Sequence, residues 1–291
     1  MKILVFGGTR FFGVHLVNAL IANGHQVFVA TRGRLKDQFG DNVTRIICDR
    51  SDPVNIRQNF RSAYFDVICD SLAYCSNDIR NLLDNVNCGR YVTISTTAVY
   101  KKHINTKEIE FDYNTYPLKW CARNDFPYDE VKRQAECALF QKYSTINAAA
   151  VRFPFGIGRD DYTQRLYFYV EHAVKGIPMF IDNIDNRMGF IDSKEAGQFL
   201  AFMAEQQYTG AINGCNKGIL SLREILAYVE NKTSCKAIIN KDGDAAPYNG
   251  ETEYSINTNK AEALGFTFSE LTNWIYDLLD YYIEEAKKIK V

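Results

Sequence analysis

Lys2-Ile3-Leu4-Val5-Phe6-Gly7-Gly8-Thr9-Arg10-Phe11-Phe12-Gly13 opens the chain, and the reading of this stretch decides the fold. Lys2 to Phe6 is a short apolar run of strand length that stops at glycines. A helical pattern follows through about Asn23, where Gly24 ends it. A strand, a glycine turn and a helix in that order aim backbone N–H groups and the positive end of the helix at an anion. The glycines permit the tight turn and the close approach of helix to strand. Gly7, Thr9, Arg10, Phe11, Phe12 and Gly13 therefore form a candidate cradle for a dinucleotide diphosphate; the plain alternative is a tight structural turn. Arg10 stands where a middle glycine usually sits. Its side chain points either away from the turn or toward the phosphates as an added cation.

Outward from this unit the alternation continues. Gln26–Ala30, Val43–Cys48, Asp66–Cys69 and Tyr91–Ser95 read as strands two to five, with helical segments near 52–63 and 77–85. Buried strands alternating with helices imply parallel pairing through right-handed crossovers, hence an α/β, doubly wound parallel sheet. Beyond it, Tyr128–Tyr143 reads as a long helix and Ala148–Phe153 as a sixth strand. Thr163–Lys175, Ser193–Glu205 and Ser221–Asn231 are helical, and Phe190-Ile191 and Ala211–Asn213 are short strands. A last helix from Ser269 to about Lys288 carries Leu271, Trp274, Ile275, Leu278 and Leu279 on one face, as core or as a homodimer surface. The expected organisation is a dinucleotide-binding domain over residues 1–154, to which 188–215 return. A smaller, interleaved substrate lobe takes 155–187 and 216–291.

Composition narrows the function. The chain has 291 residues, 46% hydrophobic and 13% aromatic, which supports a packed core rather than disorder. Lys+Arg 34 against Asp+Glu 35 leaves a formal net charge of −1, so nucleic acid is not an expected partner. No apolar run approaches a membrane span, and the N-terminus lacks the features of a signal peptide, which points to the cytoplasm. The eight cysteines include no Cys-x-x-Cys pair and read as reduced thiols; the four histidines lack ligand spacing, and no metal is expected.

Two further segments bear on chemistry. After strand two stands Thr31-Arg32-Gly33-Arg34, where an acid would select NAD by meeting the adenosine ribose. Arg32 instead suits a 2′-phosphate, so NADP is preferred over NAD, although Arg32 also fits a solvated surface charge. Tyr128 and Lys132 lie four residues apart on one helix face. An ammonium beside a phenol favours the phenolate and lowers its pKa from about 10, fitting Tyr128 for proton transfer, while the same lysine can hold a ribose hydroxyl. Ser95-Thr96-Thr97 supplies hydroxyls at the end of strand five, as donors to a substrate oxygen or as caps of the strand end.

Taken together, the loop Gly7–Gly13, Asp70-Ser71-Leu72-Ala73, Ile94-Ser95-Thr96-Thr97-Ala98-Val99-Tyr100, Tyr128 with Lys132, Arg152-Phe153-Pro154-Phe155-Gly156 and Gly189-Phe190-Ile191-Asp192 resemble the extended and atypical short-chain dehydrogenase/reductase family. Within it they resemble the NAD-dependent epimerase/dehydratase group, nearest the branch with chloroplast stem-loop-binding proteins and bacterial relatives. The resemblance implies a Rossmann sheet. It makes Tyr128 the general acid/base, Lys132 its partner and ribose ligand, and Thr96 the hydroxyl on the reacting oxygen. It also makes Asp49 the adenine-side acid, and Leu72 and Ala73 part of the cofactor bed. Thr97 and Ala98 replace the Asp-Glu pair of sugar-nucleotide dehydratases, which argues against that dehydration. The implied chemistry is hydride transfer at a carbinol carbon of a small molecule such as a sugar nucleotide, by an epimerase or a reductase. Arg165 and Arg187 are candidate diphosphate ligands. The alternative is a cofactor-binding regulatory or RNA-associated protein with little catalysis.

Overall fold

The computed structural model describes residues 1–288; the last three positions of the expected substrate lobe, 289–291, lie outside the described residues. The strands of the main sheet are β1 (Lys2–Phe6), β2 (Gln26–Thr31), β3 (Val43–Ile47), β4 (Tyr64–Asp70), β5 (Asn87–Thr96) and β6 (Asn147–Phe153). Short strands follow: β7 (Phe155–Ile157), β8 (Met179–Phe180), β9 (Arg187–Met188), β10 (Phe190–Asp192), β11 (Gly210–Asn213), β12 (Leu220–Ser221) and β13 (Asp244–Ala245). Helices α1 (Phe12–Ala22), α2 (Pro53–Phe60), α3 (Ser76–Leu83) and α4 (Tyr128–Lys142) connect the first six strands, and α5 (Arg165–Lys175), α6 (Ser193–Glu205), α7 (Leu222–Thr233), α8 (Asn259–Ala263) and α9 (Ile275–Lys287) complete the chain.

Seven strands pair in the order β11-β6-β5-β4-β1-β2-β3, every neighbouring pair parallel. The chain winds outward from β1 to β3, returns to β4 beside β1, and winds outward again. This doubly wound order opens a crevice at the strand ends between β1 and β4, where such sheets bind ligands. The period-two alternation of β1 explains the layers. Ile3 and Val5 face one core with Leu16, Val17 and Leu20 of α1 and Phe199 and Leu200 of α6. Leu4 and Phe6 face the other, with Ile56, Phe60, Ile79, Leu82 and Leu139 of α2 to α4. A third core packs α5, α7 and α9 around Tyr169, Tyr248 and Tyr254.

The short elements β8, β9, β12, β13 and α8 are absent from the sequence expectation, α5 begins two residues later than expected, and two further stretches differ from it. The last helix begins at Ile275, not Ser269, because the preceding backbone is committed elsewhere. The Ser269 amide donates to Glu195, Leu271 donates to the Lys217 carbonyl, and Glu270 bridges Lys217. Its apolar stripe is core, with Leu271, Ile275, Leu278 and Leu279 buried. Residues Phe155–Ile157 also form β7, which pairs with β10 and which the sequence reading does not include.

A buried polar network joins these layers. Arg152 on β6 is 0% exposed and pairs with Glu136 of α4. It also donates to the Tyr100 hydroxyl at 2.8 Å and to the Glu108 carbonyl at 2.9 Å. Tyr100 donates onward to Asn213 of β11, and Ser95 of β5 donates to Glu136. Removing one member of a buried pair strands the other charge. Glu136→Ala is therefore expected to lose about 3 to 5 kcal/mol of stability in denaturant titration. A loss below about 1 kcal/mol would show that Arg152 finds another partner.

Candidate active site

The glycine turn fits the cradle expected of it. Gly7 and Gly8 take φ of 93° and 88°, in the left-handed region open to glycine. A Cβ on Gly13 would stand 2.9 Å from the Gly8 Cα, so the two glycines let α1 begin against the end of β1. Phe11 also has positive φ, at 52°. Among the described residues, the Phe11 and Phe12 amides have no acceptor in the chain, while the following amides of Gly13 and Val14 are satisfied by Arg10 and Phe11. Unpaired donors at a helix start are what a diphosphate takes up. Ser71, beside Gly7, adds a buried hydroxyl with no partner among the described residues. The two phenylalanine rings serve packing instead: Phe11 lies against Gly156, and Phe12 faces Phe153 at 6.3 Å.

Arg10 turns away from the turn, its guanidinium 5.3 Å from the Tyr162 ring centre. It lines a cleft of about 850 Å³ on the outer side of α1, with His15, Asp160, Ser193 and Trp274. This cleft shares only Thr9, Arg10 and Phe11 with the cradle.

Leu72 packs over Gly7, and the Ala73 carbonyl accepts from Lys132. The Asp49 carboxylate accepts from the Ser51 amide at 2.9 Å and hydroxyl at 2.6 Å. These bonds, with Arg32 and Arg34 nearby, hold it below the usual carboxylate range. Arg32 itself is exposed. Arg32 and Asp49 thus lie near one another, a cation and an anion whose preferences for a 2′-phosphate would be opposite.

Thr96 closes β5, and its hydroxyl accepts from the Ala98 amide at 3.2 Å. Of the three hydroxyl residues expected there, only Thr96 stands at Tyr128; Ser95 is spent on Glu136, and Thr97 is buried. Tyr128 begins α4 with one side of its ring open to solvent, 51% exposed. Its phenol departs from expectation. Desolvation by the protein on its other side raises the pKa above 10; Tyr74 adds to the rise, and Thr96 and Arg165 oppose it. Lys132 does not supply the expected lowering, because it points elsewhere. Its Nζ donates to the Ala73 carbonyl at 2.8 Å and the Ile94 carbonyl at 2.9 Å, and lies 6.0 Å from the Tyr128 ring centre. Burial brings Lys132 itself down to about 8.

Of the two candidate substrate arginines, Arg165 stands near enough to act on the Tyr128 phenol and lies 5.1 Å from the Phe155 ring centre. Arg187 donates to the Ile219 carbonyl and pairs with Glu224 at 3.5 Å, so its charge is already engaged. Sequence reasoning missed Tyr74 and Arg123. Tyr74 follows directly on the quoted Asp70–Ala73 segment, yet nothing in the sequence marks an aromatic there as a site residue. Arg123 lies in a long irregular stretch between β5 and α4 and reaches back to donate to the Leu72 carbonyl at 3.2 Å.

Comparison with known proteins bears on the family and the fold. A family model described as the NAD dependent epimerase/dehydratase family matches residues 3–214. The chain is 30% identical over 115 residues, 35% of its length, to chloroplast stem-loop binding protein of 41 kDa b from Arabidopsis thaliana, and spans 30% of that relative. Its fold is similar to a UDP-glucose 4-epimerase from Thermotoga maritima crystallised with UDP-glucose, at TM-score 0.76 and 17% identity over 99% of this chain and 100% of that one. It is also similar to a UDP-glucuronic acid 4-epimerase from Bacillus cereus in complex with NAD, at TM-score 0.71 and 19% identity over 97% and 96%.

The glycine contact is open to test. Gly13→Ala places a methyl against the Gly8 backbone, which a flexible side chain cannot relieve. The variant is expected to fold but to bind NAD at least about tenfold more weakly by calorimetric titration, a loss of one good hydrogen bond or more. Unchanged affinity would show that the turn is structural only.

Proposed function

Because this chain belongs to the NAD dependent epimerase/dehydratase family, we propose that it oxidises and reduces a carbinol carbon of a sugar nucleotide or similar small molecule, with a nicotinamide dinucleotide on the Gly7–Gly13 cradle. One observation carries this reading: Thr96 and Arg165 both act on the Tyr128 phenol, at the same carboxyl edge of the parallel sheet where the Phe11 and Phe12 amides are left unpaired. A bound nicotinamide supplies the hydride acceptor and donor. The chain supplies the rest. Tyr128, when its phenol has given up its own proton to solvent, takes the hydroxyl proton and returns it; Thr96 holds the reacting oxygen, and Lys132, fixed by two carbonyls, presents its remaining donor to a ribose hydroxyl. Arg165, beside Phe155, offers a cation to the substrate's phosphates. The absence of an Asp-Glu pair at Thr97-Ala98 favours epimerisation or reduction over dehydration. The intact hydroxyl, phenol and ammonium set favours catalysis over a purely regulatory or RNA-associated role.

Tyr128→Phe keeps the ring and helix but removes the exchangeable proton. Turnover in a sugar-nucleotide screen is expected to fall about 10²- to 10⁴-fold, with cofactor affinity nearly unchanged. Equal turnover would reduce Tyr128 to a packing residue. For the cofactor, the reading is NADP over NAD, through Arg32. Arg32→Ala is expected to narrow the ratio of the two affinities, and a constant ratio would assign Arg32 to the solvated surface.

A further inference from the structure

Lys132 is 4% exposed and carries its charge among groups that are mostly spoken for. Three carboxylates favour its charged form: Asp70 at the end of β4, Asp78 on α3 and Glu136 on its own helix. Asp70 is bound to Arg50 and to the Tyr91 hydroxyl. Asp78 pairs with Arg50 and accepts the Tyr74 and Cys75 amides, and Glu136 pairs with Arg152. Arg123, from the stretch before α4, opposes the charge. The near contacts of Nζ are two neutral carbonyls and one aromatic face, the Tyr128 ring centre lying farther off at 6.0 Å. That face is Tyr74, with the ammonium 4.5 Å from its ring centre.

Tyr74 is itself held. Its amide donates to Asp78 at 2.8 Å at the head of α3, and the Arg123 guanidinium lies 3.6 Å from the same ring centre while bonding to the Leu72 carbonyl. The Tyr74 and Tyr128 rings meet at 6.2 Å and 65°. A cation over an aromatic face is stabilised by the ring quadrupole, and more so when both are withdrawn from water.

We propose that Tyr74 is a positioning residue whose ring face keeps the buried Lys132 charged and in place beside Tyr128, with Arg123 pinning the ring. This rests on the reading of Lys132 as the cation of the site. The desolvated contact corresponds to about 0.5 to 1.5 pH units in the Lys132 titration. The sign follows from the charge. Losing the ring face disfavours the ammonium, so the midpoint falls and the charge disappears at lower pH.

The test is an NMR titration of the unliganded full chain carrying lysine labelled with ¹³C at Cε, the Lys132 signal being assigned by its loss in Lys132→Met. Tyr74→Leu is expected to move the Lys132 midpoint down by about 0.5 to 1.5 pH units, and Tyr74→Phe, which keeps the ring, to leave it in place. Should the leucine variant not fold, Tyr74→Met makes the same comparison. An unmoved midpoint in the aliphatic variant, or an equal shift in Tyr74→Phe, overturns the proposal. The readout needs neither substrate nor turnover, so failure of the proposed reaction at Tyr128 and failure of this contact are told apart.

Discussion

The contact between Gly8 and Gly13 is the constraint from which the rest of the site follows. With no side chain on either residue, α1 starts hard against the end of β1, beside the β1–β4 switch of the sheet, and its first amides are left without an acceptor in the chain among the described residues. A methyl group at either position would separate strand from helix and move those donors. The sheet order places β4 and β5 across from the turn, so Ser71 to Tyr74 and Thr96 arrive on the opposite wall without any special device. Thr96 and the Ser71–Tyr74 segment are thus positioned by backbone, which is the stiffest part available.

At that same wall, charge is managed by burial. Arg50 with Asp70, and Arg152 with Glu136, are buried pairs whose charges are engaged with each other. Lys132 is different, since its contacts are carbonyls and a ring, and its pKa falls to about 8. A lysine so placed is charged at neutral pH with little margin. The Tyr128 phenol moves the opposite way, above its ordinary value. The phenol and the ammonium are therefore set largely by burial and by other neighbours, with Tyr74 beside both, rather than by each other as four-residue spacing on a helix suggests.

Much of this was legible in the sequence, for reasons that are local. Apolar runs of strand length between helical patterns gave the sheet, and the opening glycines located the cradle, because both depend on residues near one another. The hydroxyls Ser95 to Thr97 and Tyr128 were marked as candidates by their place at and after strand five, and the family resemblance singled out Thr96. What escaped depends on distant partners. Ser269 to Trp274 has a helical pattern, but Glu195 and Lys217 claim its backbone. Lys132 has the right spacing from Tyr128, but the carbonyls of Ala73 and Ile94 set its direction. Arg123 reaches the site from an irregular stretch whose path no periodicity encodes.

The most direct measurement of the central claim is a crystal structure of the protein grown with NAD. The account predicts the diphosphate on the Phe11 and Phe12 amides and the nicotinamide ribose within hydrogen-bonding reach of Lys132. Dinucleotide seated instead in the cleft on the outer side of α1, or none at saturating concentration, would contradict it.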